Sequence, residues 1–432
     1  MLKKYFIVLG GGKDQLYLIK NIKSLNYKLI IFDKSKNCPG FDFADLSFSI
    51  DFSNYKKVIS KLSALKKIYK LNYAGIITMG SDIPLIIYRI AKRFNLFHNT
   101  LRAAKISQDK MLMKKLFKKI KVESPCYKIV NNKIDIINFW KKQKCKYLII
   151  KPSDSSGSRG VRVIIFKSQI NSAIKNVKKN TKKNYFMVEE LVEGPQLSTE
   201  SIIVNKKIFT PAISYRDYKD VNNFLPQILE NGGIVTSKFL KYQKNIELIK
   251  KKIAKELDFN NGIIKGDFVI KDKKVLPIEF TTRLSGGDMS ESLGPMSNGI
   301  NYVKQAIKIA AKKKVNLNDL KPKFFKNVTN KYFFLPMGKL TKISGIKKLN
   351  KIKSIKKIDF SYTLNSQIPK IDSHGKRVGV FIVSGLNKKN IITIVNKVYN
   401  TIKFKVSGKW YRGHPETLKK RESTKLKIVN MM

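Results

Sequence analysis

The chain has 432 residues, 43% apolar and 10% aromatic, which excludes a disordered chain and leaves room for roughly two to four domains of about 100–200 residues. No apolar run approaches the roughly 18–20 residues needed to cross a bilayer, so no membrane partner is expected. Lys and Arg number 88 against 30 Asp and Glu, a formal charge of +58. They are scattered in pairs and triplets such as Lys118-Lys119 and Lys312-Lys313-Lys314, which reads as compositional drift with nonspecific nucleic-acid affinity as a side effect.

The first predicted element is a strand at Tyr5 to Leu9. Its apolar stretch is too short for a signal peptide, and Gly10-Gly11-Gly12-Lys13-Asp14 breaks it. A helix follows from Asp14 to Leu25, then a strand from Lys28 to Phe32 ending at Asp33. A helix at Tyr55 to Tyr69, a strand at Tyr73 to Thr78 and a helix at Ile83 to Phe94 complete a first domain over residues 1–105. Short apolar strands alternating with helical patterns predict a parallel sheet. Cys38, Cys126 and Cys145 lack metal spacing, and fit reduced thiols of a cytoplasmic protein.

A second region covers residues 106–315. Ser107 or Asp109 caps a helix running to Ile120. Strands are predicted at Lys146 to Lys151, Val161 to Phe166, Tyr185 to Glu190, Leu197 to Val204 and Lys207 to Tyr215. Helix Asn245 to Leu257 precedes two strands, Ile263 to Lys271 and Lys274 to Phe280, joined by the turn Asp272-Lys273. Helix Asn301 to Lys312 closes the region, and Phe324 to Asn330 reads as a linker. The third segment, residues 331–432, mixes short strands (Tyr332 to Leu335, Val378 to Val383, Ile402 to Val406) with Lys-rich connections.

Three motifs carry chemistry. Gly10-Gly11-Gly12 with Asp33 partly matches a dinucleotide turn, although Gln15 stands where the third glycine belongs. In Lys151-Pro152-Ser153-Asp154-Ser155-Ser156-Gly157-Ser158-Arg159-Gly160, a lysine ends a strand and a small-residue loop follows, suited to folding over phosphates. Here the lysine precedes the loop, unlike a Walker A motif. In the third motif, pairing through Asp272-Lys273 puts Asp267 opposite Glu279. Two such carboxylates repel unless a cation intervenes, and Mg²⁺ with phosphate oxygens is the natural occupant. Strand alternation puts Thr281 and Arg283 on the face of Glu279.

In this order and spacing the three motifs resemble the ATP-grasp superfamily, the group of biotin carboxylase, carbamoyl-phosphate synthase, D-alanine–D-alanine ligase and amino-acid ligases. The resemblance runs from about residue 1 to 315. It implies an α/β and α+β architecture: a Rossmann-like N-terminal domain, a two-lobed ATP-grasp fold and a small C-terminal domain. It also implies that Lys110, Lys151, Ser155, Ser156, Gly157 and Gly160 hold the ATP phosphates. Glu189 would meet the adenine with its side chain, and the backbone of Glu190, Leu191 and Val192 would complete the hinge. Asp267, Glu279 and Thr281 would hold Mg²⁺, with Mn²⁺ as a substitute, and Arg283 and Lys151 would act in catalysis.

Two positions depart from the family pattern. Thr281 stands where Asn is usual, and Gln196 replaces a ribose-binding Glu, for which Glu193 or Glu200 could substitute. The implied activity is ligation of a small-molecule or amino-acid carboxylate to an amine through an acyl phosphate, in a monomer or an oligomer. The acceptor is expected near Arg283 to Asp288, Thr78 to Asp82 and Glu230 to Gly233. His98, His374 and His414 are far apart in sequence and read as structural or surface residues. Two alternatives from other classes are a nicotinamide-dependent oxidoreductase built on Gly10 to Asp33 and a basic RNA-binding protein with a degenerate ATP site.

Overall fold

Parallel strands buried on both faces need continuous apolar runs, and Tyr5–Leu9 and the Leu29 to Phe32 core of Lys28–Asp33 supply them. The computed structural model describes residues 4–418, and these strands form the middle of a parallel sheet ordered Leu46–Ser49, Lys28–Asp33, Tyr5–Leu9, Tyr73–Ile77. Phe6, Val8, Leu29 and Ile31 pack toward helix Leu16–Ser24 and helix Tyr302–Ala310. Ile7, Leu9, Ile30 and Phe32 pack toward helices Tyr55–Tyr69 and Pro84–Arg93. A helix from the second region thus closes the N-terminal sheet.

The glycine turn of this sheet is engaged by the protein itself. The Gly11 amide donates to Asp33 Oδ2 at 2.8 Å, and the Gly11 carbonyl accepts from the Gly40 amide at 2.7 Å. Gln15 is buried, with its amide nitrogen 2.5 Å from the Met79 carbonyl. Asp33, which a dinucleotide site would turn to a ribose, instead accepts from Gly11 and Ser35.

A second sheet, ordered Tyr127–Val130, Phe186–Glu190, Leu148–Lys151, Arg162–Ile164, is antiparallel and backed by helices Lys133–Gln143 and Ile170–Lys178. The third has eight strands: Lys274–Thr281, Gly262–Lys271, Gln196–Val204, Lys207–Arg216, Gly233–Val235, Asn327–Phe333, Gly379–Gly385, Ile355–Phe360. Its last three strands come from beyond residue 326, so the segment read as a linker, Phe324 to Asn330, runs into a strand. Polar residues of this segment are buried and bonded: Thr329 Oγ1 donates to the Gly233 carbonyl at 2.8 Å, and Asn330 Oδ1 accepts from the Gly233 amide at 2.7 Å.

Beyond this sheet, helix Lys388–Thr401 and a small sheet of Gln367–Ile368, Gly338–Ser344, Lys403–Val406 and Lys409–Tyr411 enclose Phe333, Phe381, Tyr399 and Phe404. Among the described residues no helix is long and apolar enough to cross a membrane.

Helix Gln243–Glu256 packs on the eight-stranded sheet and carries a buried lysine. Lys250 Nζ donates to Ser201 Oγ at 2.7 Å and to the Ile264 carbonyl at 3.1 Å, and burial pushes its ammonium down to about 7 from 10.5. Between those values the unfolded chain holds a proton that the native one lacks. Stability from this group is therefore present above pH 10.5 and lost as pH falls through 7. The expected result is that wild type gains about 2 kcal/mol over Lys250→Met between about pH 7.5 and 9.5, read by urea unfolding.

Candidate functional site

The paired strands Gly262–Lys271 and Lys274–Thr281 are joined through Asp272 and Lys273, whose φ values of 48° and 64° are those of a tight hairpin turn. The ladder pairs Phe268 with Pro277, then shifts by one residue and sets Asp267 opposite Glu279. The shift leaves Ile278 without a partner and realises the expected neighbourhood.

The two carboxylates meet different surroundings. Asp267 Oδ1 accepts from Ser198 Oγ at 2.8 Å, while Oδ2 accepts from Lys265 Nζ at 2.5 Å and an Arg216 guanidinium nitrogen at 2.9 Å. Glu279 Oε2 pairs with Lys110 Nζ at 3.1 Å, and its side chain is about a third exposed. Burial would raise the Glu279 carboxyl, but Lys110 first, then Lys265 and Lys151, hold it well below the usual carboxylate range. Thr281 Oγ1 is buried and has no partner. Arg283 is clasped by Asp82, with Nε 2.8 Å from Oδ1, so the loop Thr78 to Asp82 reaches this space. The Gly80 amide binds the Leu284 carbonyl at 3.1 Å beside it.

The small-residue loop lies over the same hairpin. Lys110, just after the helix cap Asp109, donates its backbone N–H to the Ser153 carbonyl at 3.0 Å and its Nζ to the Ser155 carbonyl at 2.7 Å. Gly157 and Gly160 have φ values of 64° and 74°, the left-handed region that glycine occupies freely. A Cβ at Gly160 would lie 2.6 Å from the Asn180 side chain.

His374, read from sequence as structural or surface, is half-buried against this loop. Its backbone N–H donates to the Gly157 carbonyl at 3.2 Å, and its Nε2 lies 3.3 Å from Ser158 Oγ. Burial pushes its imidazole down to about 3. No local pattern in the sequence marks this residue. Arg216 does carry a signal that was missed: like Lys151, it is a cation ending an apolar strand. It pairs with Glu230, whose Oε1 lies 3.7 Å from Arg377, and Arg377 stacks 3.3 Å from the Tyr332 ring centre. The expected acceptor segment thus contributes Glu230, while the Asn231 side chain serves the fold by accepting from the Tyr332 backbone at 3.1 Å.

At the hinge, the side chain of Glu189 is sequestered. Its carboxylate is held by Lys151 and by Lys114, a lysine that sequence reasoning missed. All three groups are buried. Burial works against the charged form of Glu189, and the two lysines outweigh it, Lys114 foremost. The backbone of Leu191 donates to the Tyr147 carbonyl at 3.0 Å, and Leu191 and Val192 are buried. Gln196 opens the next strand, and Gly194 before it has no space for a side chain, its Cβ position being 2.1 Å from the Ile270 carbonyl oxygen. Glu200 points elsewhere: it accepts from the Ser285 amide at 2.7 Å and from Ser290 Oγ. Glu193 keeps a buried Oε1 without a partner.

Glu189→Gln would strand two buried ammonium groups. It is expected to cost about 3–5 kcal/mol in denaturant unfolding, of which Lys114→Met in the same chain restores part.

Residues 108–288 match the family model of the phosphoribosylglycinamide synthetase ATP-grasp (A) domain. A phosphoribosylamine–glycine ligase of Methanobrevibacter smithii is 24% identical over 238 residues, 50% of this chain and 54% of that protein, so the chain spans about half the length of this relative. A D-alanine–D-alanine ligase of Pelagibacter ubique is 24% identical over 331 residues, 70% of this chain and 96% of that one. The crystal structure of an L-amino acid ligase from Bacillus licheniformis superposes with a TM-score of 0.78 at 14% identity, covering 93% of this chain and 98% of its own. Residues 108–288 thus match an ATP-grasp domain in sequence, and the fold over nearly the whole length is similar to that of the L-amino acid ligase.

Proposed function

We propose that the chain is a Mg-ATP-dependent ligase that activates a small-molecule carboxylate as an acyl phosphate and delivers it to an amine. The observation that carries this reading is the convergence of Lys110 on both Glu279 and the Ser155 carbonyl, which ties the phosphate loop to the carboxylate hairpin. Lys110 and Lys151 would hold the phosphate tail, with Ser155, Ser156, Gly157 and Gly160 over it. Val192 and its neighbours would meet the base, and Gln196 or Glu193 the ribose.

The residues present suit a hard cation. Glu279 has one oxygen outside its ion pair, Thr281 Oγ1 is orphaned, and Asp267 faces them across the ladder. Glu279 and Thr281 would hold Mg²⁺, or Mn²⁺ in its place, beside Asp267, and the bound ion would neutralise charge on the phosphate oxygens.

The substrate carboxylate oxygen attacks the γ-phosphorus, and the bond from that phosphorus to the β-phosphate oxygen breaks, releasing ADP. The amine then adds to the acyl carbon, phosphate departs, and the amine proton passes to solvent. Positioning and electrostatics suffice for such transfer. Arg283, fixed by Asp82, is placed to offset charge on the transferred group.

The engaged glycine turn, with Asp33 already bonded, does not favour the nicotinamide alternative. No gathered basic surface in the sequence favours the RNA alternative, although a charge of +58 supports nonspecific affinity. The three cysteines are free, which suits the reducing, ATP-rich cytoplasm.

The test is ADP release by the full chain with Mg-ATP against pools of carboxylates and amines. Release should require both substrate classes and be abolished by chelating Mg²⁺. Glu279→Gln and Lys151→Ala should each reduce it by about 10²–10³-fold. NAD binding without any Mg-ATP binding would overturn the reading.

A further inference from the structure

We propose that the ammonium group of Lys265 is the second cation of the phosphate site, so that the protein takes a single divalent ion with its nucleotide. This rests on the Mg-ATP reading above. Two carboxylates flanking a triphosphate commonly hold two divalent ions about 3.5–4 Å apart, each completing its shell with oxygen ligands. Here one of the two carboxylates is already committed. Both oxygens of Asp267 are engaged: Oδ1 by Ser198 at 2.8 Å, Oδ2 by Lys265 at 2.5 Å and Arg216 at 2.9 Å.

The position of Lys265 makes this commitment hard to dissolve. It lies two residues before Asp267 on the same strand and therefore on the same face. Across the ladder its backbone pairs with Thr281 on one side and with Glu200 on the other. Its side chain is only 15% exposed, so the ammonium does not lie free in solvent. Its charge acts on Glu279 as well as on Asp267.

Ligand supply points the same way. What remains open is the second oxygen of Glu279 and the hydroxyl of Thr281, enough for one ion that also takes phosphate oxygens and water. An ammonium offers three donors and a compact positive charge without needing any ligands. Lys265 thus meets the phosphate oxygens from the Asp267 side while the ion meets them from the Glu279 side.

The experiment counts Mn²⁺ bound per chain by electron paramagnetic resonance titration, with the β,γ-imido analogue of ATP saturating the full-length protein. Wild type and Lys265→Arg should bind one ion. Lys265→Ala and the longer-stemmed Lys265→Gln should bind two, with circular dichroism confirming that they fold. Two ions on wild type, or one on both uncharged variants, would overturn the proposal and leave the ligase reading standing. No analogue-dependent Mn²⁺ binding by wild type would overturn both.

Discussion

Two carboxylates set opposite one another on adjacent strands are unstable neighbours unless positive charge surrounds them, and the site is organised around that repulsion. Asp267 and Glu279 face each other because a two-residue turn and a one-residue bulge leave them no other register. The cations that relieve the repulsion arrive from separate elements. Lys110 comes from a helix start, Lys265 from the Asp267 strand itself, and Arg216 from a strand further along the sheet. Each brings its own surroundings with it. Lys110 brings the small-residue loop and Arg216 brings Glu230, which neighbours Arg377 in turn. The charge pattern of the hairpin therefore fixes what can stand around it.

A comparable logic holds the lobes together. Glu189 lies on the sheet of the second lobe, and its two partners come from a neighbouring strand and from the helix that begins with Lys110. One carboxylate thus fixes both the lysine that precedes the loop and the helix that begins with Lys110. The N-terminal domain contributes its own contact through Asp82 and Arg283, while helix Tyr302–Ala310 seals its sheet from the opposite side of the chain. The mouth of the site is consequently walled by three parts of the protein.

Much of this could be read from residues alone, for local reasons. Tyr5–Leu9 announces itself by continuous apolarity, the Asp267–Glu279 pairing follows from counting back from a turn, and Lys151 stands out as a charge ending an apolar strand. What stayed hidden depends on partners distant in sequence. Asn327–Phe333 reads as polar connection because its Thr and Asn find their hydrogen bonds on a strand almost a hundred residues away. Helix Lys388–Thr401, rich in Lys, Asn and β-branched residues, gains its order from packing on Phe333 and Phe381. Lys114 lies one helical turn after Lys110 and looks like another surface lysine until Glu189 is placed beside it.

His374 ties the small-residue loop to a distant part of the chain. On the proposed reaction, ADP leaves only after the loop lifts from the nucleotide. That loop is hydrogen-bonded to a turn that leads directly into strand Gly379–Gly385 of the central sheet. The same strand carries Phe381, which packs in the aromatic cluster with Tyr399 and Phe404. The residues that anchor this loop therefore come from a part of the chain more than two hundred residues beyond it.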